Sequence, residues 1–189
     1  MDAAIERLRW GLLRYWLLGG VISCLAPAAR AQPAEHQVKA VFLFNFAQFV
    51  DWPPEAFPSS TAPLVVGIYG EDRFGQLLDE AVRDETAHGR PLVVRRFRRG
   101  QEIGPCQILF VGEREFDRWP ALRARLGGRS VLTVGESEGF AEAGGMIELR
   151  NDGQRIRLRV NLAAARAARL RLSSKLLRAA EIVEPEEGP

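Results

Sequence analysis

The sequence predicts a single α/β domain, with a mostly parallel sheet flanked by helices and an antiparallel C-terminal hairpin at one edge. Two observations carry this prediction. Short apolar runs such as LVVGIY at 64–69 alternate with stretches that have the apolar spacing of amphipathic helices, which is the pattern of βαβ units. Near the C-terminal end, MIELR and RIRLRV flank NDGQ, and Asp-Gly between two strand-like runs is a strong hairpin signal.

Each predicted element has its own local signal. The first helix is the aromatic stretch VKAVFLFNFAQFVDWP at 38–53, which ends at its prolines because the residue before a proline avoids the helical conformation. Asp72 is placed to cap the second helix, and Ser173 or Ser174 to cap a last one at 175–183. The other predicted elements are strands at 91–97, 107–111, 130–134, 146–150 and 155–160, a helix at 116–126, and an alanine-rich helix capped by Asn161.

Residues 1–31 have the organisation of a secretory signal peptide. Three arginines precede an apolar run at 15–26, and Ala29 and Ala31 form an Ala-x-Ala site. The apolar run is shorter than the roughly 20 residues that a transmembrane helix needs. We therefore expect cleavage after Ala31, a mature domain at 32–183 and an acidic tail at 184–189.

A second processing site competes with the first. Val21-Ile22-Ser23-Cys24 resembles a bacterial lipobox, in which the cysteine becomes the lipidated first residue of a lipoprotein. Cys24 is also an ordinary member of the apolar run, so the sequence leaves lipidation at Cys24 open.

Removing the signal segment changes the charge balance of the chain. The 26 basic and 24 acidic residues fall to 22 of each when the four arginines and two acids of residues 1–31 are left out. Nucleic-acid binding depends on a positive surface that faces the phosphates. The balanced charge therefore gives no indication of a nucleic-acid partner.

Cys106 is the single cysteine that remains after export. A lone thiol cannot form an internal disulfide, so it is either buried or available for an intermolecular bridge. The strand-like run CQILFV places it at the entry of a strand and favours an inert core cysteine.

One stretch of the sequence matches a catalytic motif. Gly135-Glu136-Ser137-Glu138-Gly139 matches G-x-S-x-G and follows the strand-like run SVLTV, as a nucleophile elbow does. That motif also requires a helix directly after the serine and a later histidine, but two glycines follow at 144–145 and both histidines, His36 and His88, lie upstream. We therefore expect no catalytic residue here and no enzyme activity.

The chain shows no metal or cofactor motif either. Two isolated histidines and one cysteine do not have the spacing of zinc ligands. GEDRFG, which follows the first strand, lacks the lysine and the spacing of a phosphate-binding loop. We therefore predict neither a bound metal nor a cofactor.

The aromatic helix has two different faces. At 100° per residue, the side chains expected on the core face are Phe42, Leu43, Phe46, Phe49 and Val50. Phe44 and Trp52 lie among the polar residues of the other side, together with Gln48. These three are predicted to form a protein-binding or self-association surface; burial against the loop at 55–63 or the last helix is the alternative.

A different function would use the loops at the strand ends. In open α/β sheets, loops such as GEDRF and GESEGF can form a crevice that binds a small molecule. The candidate residues for such a site are Glu71, Asp72, Glu136 and Ser137.

Four stretches together resemble the YfiR family of small exported bacterial proteins. They are VKAVFLFNFAQFVDWP; LVVGIYGEDRFG; CQILFVG with SVLTVGESEGFAEAGGMIEL; and RLRVNLAAARAARLRLSSKLLRAAEIV. The resemblance covers roughly residues 38–183 and rests on the order and spacing of the four stretches.

The resemblance implies a periplasmic regulator. A regulator of this kind represses an inner-membrane diguanylate cyclase by binding the periplasmic sensor domain of the cyclase. Release of the cyclase from the regulator, linked to an outer-membrane lipoprotein or to redox stress, raises cyclic di-GMP and promotes biofilm formation. The family resemblance also implies disulfides, but only Cys106 is present in the mature chain. Disulfide-based sensing is therefore not expected here, and a homodimer remains open.

Overall fold

The computed structural model describes residues 31–153 and 155–184, with side chains from Glu35 onward. The predictions for the signal segment, for lipidation at Cys24 and for residues 185–189 of the tail lie outside this part of the chain. No helix among the described residues is long and apolar enough to cross a membrane.

The described residues contain ten strands and five α-helices. The strands are β1 Val50–Asp51, β2 Leu64–Tyr69, β3 Thr86–Ala87, β4 Arg90–Phe97, β5 Ile108–Val111, β6 Leu132–Gly135, β7 Ile147–Asn151, β8 Ile156–Val160, β9 Arg171–Leu172 and β10 Ala180–Ile182. The α-helices are α1 Ala31–Phe49, α2 Gln76–Val82, α3 Trp119–Leu126, α4 Leu162–Ala167 and α5 Ser174–Arg178, and two 3₁₀ helices cover Pro54–Ala56 and Glu113–Arg118.

Eight of these strands form one sheet in the order β10-β8-β7-β6-β5-β2-β4-β3. The strands from β7 through β6, β5 and β2 to β4 pair in parallel. β7 and β8 form the antiparallel hairpin, in which Leu149 lies opposite Leu158. β1 and β9 form a separate antiparallel pair. The predicted fold class, a mostly parallel α/β sheet with a C-terminal hairpin towards one edge, is confirmed.

The sheet is covered on both faces, and β2 shows how the core is divided. Val66 and Ile68 pack into the cluster that contains Leu43 and Phe46 of α1. Val65 and Tyr69, which alternate with them, pack into the second cluster, which contains Trp119, Leu122 and Leu126 of α3. Because successive strand residues point to opposite faces, an all-apolar strand such as β2 is buried on both sides.

Several predicted boundaries and caps are wrong. α1 ends at Phe49 and not at the prolines after Trp52, because Val50–Asp51 pairs with β9. The last helix ends at Arg178 instead of Val183, because Ala180–Ile182 pairs in parallel with β8 and becomes the edge strand β10. Asp72 does not cap α2 directly. Its Oδ1 accepts hydrogen bonds from the backbone N–H groups of Phe74 and Gly75, at 2.8 and 3.1 Å, in the turn before the helix. By contrast, the predicted Asn161 cap is confirmed, since Asn161 Oδ1 accepts from Ala164 N at 2.8 Å.

Candidate functional site

The direction in which successive parallel strands are added to the sheet reverses at β2. From β2 the chain passes through α2 to β4 on one side, and then continues to β5, which pairs with β2 on the other side. At such a point the loops that leave the two neighbouring strands diverge, and open α/β sheets bind ligands in the resulting crevice.

A cavity of about 410 Å³ lies at the carboxyl ends of these strands. We call it the strand-end crevice. It is lined by Arg73 after β2, Glu113 after β5, Glu136 and Glu138 after β6, Leu149, Arg150 and Asn151 of β7, and Glu35, His36 and Lys39 of α1. Its lining is strongly charged, with both signs present.

Lys39 is the buried centre of this charge arrangement. It is 4% exposed, and its Nζ lies 2.5 Å from Glu35 Oε1 and 2.6 Å from Glu136 Oε2. Burial acts to lower the pKa of Lys39, but hydrogen bonds and charge attraction from the two carboxylates outweigh it and raise the pKa above the usual value. Lys39 therefore stays charged at neutral pH and ties α1 to the loop after β6.

Arg73 is held more loosely than Lys39. Its guanidinium nitrogens lie 3.5 Å from Glu113, 3.8 Å from Glu71 and 4.0 Å from Glu136. These separations are longer than those of a good charge-assisted hydrogen bond. Arg73 is therefore the cation of the strand-end crevice that is best able to turn towards an incoming anionic group.

The four residues predicted to form a ligand crevice do not lie together in the structure. Glu136 lines the strand-end crevice, and Ser137 Oγ is buried beside it, donating to the Glu113 carbonyl at 3.4 Å. Glu71 pairs with Arg114 at 2.9 Å on the exposed side of the loop. Asp72 Oδ2 pairs with Arg96 Nε at 2.6 Å, away from the crevice lining.

Ser137 lacks the setting of a nucleophile elbow. The residues after it form turns, and no helix begins there. The described residues also contain no group of three or more His, Cys, Asp or Glu side chains that could hold a metal ion.

The second candidate surface is the outer face of α1. We define it by Val38, Val41, Asn45 and Gln48, with Phe44 at its border. Val38 and Val41 are 45% and 48% exposed. The opposite side of the helix is buried, with Leu43 and Phe46 fully enclosed in the core.

The three residues predicted for partner binding have structural contacts of their own. Phe44 is half-buried and packs against the core. Gln48 Nε2 donates to the carbonyl of Thr86 in the edge strand β3 at 2.7 Å. Trp52 is half-buried, and its Nε1 donates to the Gln107 carbonyl at 3.0 Å.

Sequence reasoning missed the charged residues that organise the crevice, namely Glu35, Lys39 and Arg73. A signal for two of them was present. Lys39 is four residues before Leu43 and therefore on the core-facing side of α1, where a lysine needs a partner. Glu35 stands at the i, i+4 spacing that supplies one.

The fold and the strand-end crevice define the class of protein as a small α/β domain with a charged cavity at the switch point of its sheet. Residues 36–181 match the sequence profile of the YfiR/HmsC-like family, and the chain belongs to that family. This membership supports a YfiR-like regulator in general terms. Comparison with curated proteins found no significant match.

Proposed function

We propose that this protein is a periplasmic regulator that binds the periplasmic sensor domain of an inner-membrane signalling protein and represses it. The membrane protein would be a diguanylate cyclase, so that the regulator lowers cyclic di-GMP and restrains biofilm formation. Membership of the YfiR/HmsC-like family supports this role. In this proposal the chain acts through a binding surface and carries out no reaction itself.

The observation that carries the proposal is the apolar outer face of α1. The part of the chain that the structure describes has three exposed large hydrophobic side chains, and two of them are Val38 and Val41. Three residues apart on a helix, they lie on the same face. A helix that offers such a stripe is suited to an apolar groove on a partner.

The energetics fit a reversible interaction. Burying the remaining exposed half of a valine contributes about 1 kcal/mol, so the two valines together give a modest apolar centre. Asn45 and Gln48 border it with polar groups, which is the usual arrangement of a non-obligate interface. An outer-membrane lipoprotein that competes for the same face would release the cyclase.

The test compares a deletion strain and two chromosomal variants with the wild type. Val38→Gln/Val41→Gln removes the apolar centre and keeps straight-chain residues that helices tolerate. Ile182→Gln is the matched control, because Ile182 is equally exposed at 49% but lies on β10. We expect a deletion strain to have raised cyclic di-GMP, the control to restore the low level, and the double variant to fail while keeping its melting temperature.

Two outcomes would contradict this proposal at different levels. If the deletion leaves cyclic di-GMP unchanged and no membrane signalling protein is recovered with the tagged regulator, the repressor function is wrong. If the double variant represses as well as the wild type, the function stands, but the outer face of α1 is not the binding surface.

The location of the protein follows from the proposed processing. Cleavage after Ala31 would give a periplasmic chain with the domain at 32–183, and lipidation of Cys24 would instead give a membrane-anchored lipoprotein. Mass spectrometry of the mature N-terminus separates the two, because an unmodified start at Gln32 is compatible only with the first.

A second candidate function is small-molecule binding in the strand-end crevice. Lys39 favours it, because it is a buried cation that reaches the crevice from the same helix as Val38 and Val41. A solute that competes for Glu136 would loosen α1 and thereby change the partner-binding face. A melting-temperature screen with amino acids, sugars and nucleotides tests this, and any stabilisation should disappear in Arg73→Gln.

A further inference from the structure

The stretch at 161–179, which we call the cationic segment, carries positive charge and no negative charge. Residues 161–179 contain no aspartate or glutamate. Its five cationic residues are Arg166, Arg169, Arg171, Lys175 and Arg178, and all five are exposed. Since residues 32–189 have equal numbers of acids and bases, the rest of that chain carries an excess of five acidic residues. A second acid-free stretch, residues 86–101, also has five arginines, but Arg96 and Arg99 there are paired with carboxylates. The cationic segment differs in that none of its five exposed cations has such a partner among the described residues.

The segment is fixed to the domain through its apolar residues, and its five cationic side chains remain exposed. Its buried residues are Ala165, Ala168, Leu170 and Leu176. β9 pairs with β1, and Ser173 N donates to the Phe49 carbonyl at 2.8 Å. The cationic side chains are therefore presented on a folded surface and not on a mobile tail.

Nine of the other seventeen lysines and arginines of residues 32–189 have a carboxylate of the described residues within 4 Å, among them Arg96, Arg99 and Arg159. Among the described residues, no carboxylate lies within that distance of any of the five. Lys175 instead has its Nζ 4.8 Å above the centre of the Phe49 ring, a contact that leaves its charge uncompensated.

We propose that the cationic segment binds the surface of an anionic phospholipid membrane. Its guanidinium groups suit phosphate, to which arginine can donate two parallel hydrogen bonds. Basic residues held near an anionic leaflet gain affinity through charge alone, by about fivefold for each residue. The proposal does not depend on which signalling protein is regulated.

An acidic protein partner is the competing occupant, and the composition of the segment argues against it. Protein interfaces have a desolvated apolar or aromatic centre inside their polar rim. The exposed large hydrophobic side chains of the described chain are Val38, Val41 and Ile182, and none of them lies in the segment. Lipid head groups require no such centre.

The geometry allows membrane and partner to be bound together. Lys175 lies over Phe49 at the C-terminal end of α1, whereas Val38 and Val41 lie in the other half of the helix. At 1.5 Å per residue, Phe49 and Val38 are about 16 Å apart along the axis. A protein held at the inner membrane by its cationic segment would thus keep the outer face of α1 free for a membrane-bound partner.

Vesicle co-sedimentation of the processed protein tests the proposal. The probes are phosphatidylcholine vesicles with and without phosphatidylglycerol, at low and high salt. We expect binding only with phosphatidylglycerol, and weaker binding as salt rises. Arg166→Gln/Arg169→Gln/Arg171→Gln should reduce partitioning roughly a hundredfold. Arg83→Gln/Arg95→Gln/Arg98→Gln changes the net charge equally at exposed sites elsewhere and should have a much smaller effect.

Three results would overturn the proposal that the cationic segment binds an anionic membrane. Equal losses in the two triple variants would show that net charge and not this segment matters. Equal binding to both vesicle types would show that the protein does not recognise the anionic head group. Retention on immobilised poly-L-glutamate without binding to phosphatidylglycerol vesicles would assign the segment to an acidic protein.

Discussion

Lys39 Nζ lies 2.6 Å from Glu136 Oε2, although 97 residues separate the two in the chain. The lysine projects from the buried side of α1, and the glutamate follows β6 at the carboxyl edge of the sheet. Both side chains are 5% exposed. Their contact joins the helix that carries the proposed partner-binding face to the strand-end crevice.

Lys39→Met should destabilise the protein strongly, because it leaves the buried Glu136 carboxylate without its closest cation, and Arg73 is 4.0 Å away. Breaking one side of a buried ion pair costs about 3 kcal/mol or more, which corresponds to a fall in melting temperature of roughly 10 °C. Lys39→Met/Glu136→Gln should recover part of the loss. As a control, Glu71→Gln removes the exposed partner of Arg114 and should cost less than about 1 kcal/mol. Equal melting temperatures for wild type and Lys39→Met would contradict the assignment.

The stability of the protein should fall in acid partly through Glu35. Burial acts to raise the pKa of Glu35, but the hydrogen bond and charge of Lys39 outweigh it, so the pKa is lowered from its usual 4.5. Because the pKa of Glu35 is lower in the folded than in the unfolded protein, its ionised carboxylate stabilises the fold at pH values above the unfolded-state pKa. This stabilisation is lost as the pH falls through the folded-state pKa. Denaturant unfolding from neutral to acid pH should therefore show a smaller acid-dependent loss in Glu35→Gln. Identical pH profiles would exclude this contribution.

Cys106 should react slowly in the native protein. The side chain is buried, and burial raises the pKa of its thiol to about 11, so the thiolate that attacks thiol reagents is rare at neutral pH. We expect a disulfide reagent to label Cys106 slowly in buffer and rapidly in denaturant. Reducing agents should leave the melting temperature unchanged. Fast labelling of the native protein would show that the Cys106 thiol is accessible and would support a redox role for this residue.

Gly135 should not tolerate a side chain. A Cβ at this position would lie 2.5 Å from Phe140 Cγ, and Phe140 is 1% exposed in the second core cluster. Because the ring has no room to move, Gly135→Ala should cost about 2 kcal/mol. Gly104→Ala is the control, since its Cβ would meet Phe97 at an ordinary 3.6 Å. Equal stability of the two variants, measured by denaturant unfolding, would show that the Phe140 packing is looser than the structure indicates.

The Gly135 packing also explains a feature of the sequence. Gly135 is the first glycine of the stretch that matches G-x-S-x-G, and in the structure it allows the Phe140 ring to pack against the backbone. The same residue pattern can therefore arise from packing. Deciding between the two readings requires the residues that follow, which here form turns.

Local signals in the sequence were sufficient for most of the secondary structure. Apolar runs determined β2 and β5, the Asp-Gly pair determined the β7–β8 hairpin, and Asn161 determined the start of α4. Each of these features depends on residues within a few positions of each other, so periodicity and capping preferences are enough to predict them.

Only the tertiary structure decided how distant segments pair. Ala180–Ile182 continues a helical pattern but becomes β10, because pairing with β8 satisfies its backbone at the sheet edge. Gln48 was predicted to belong to a partner-binding surface, and the structure adds that its Nε2 donates to the Thr86 carbonyl of β3. The sequence by itself determined the α/β class, the two-faced first helix and the family resemblance. The Lys39–Glu136 contact, the strand-end crevice and the position of the cationic segment depend on strand order, which brings together side chains whose separation along the chain carries no local signal.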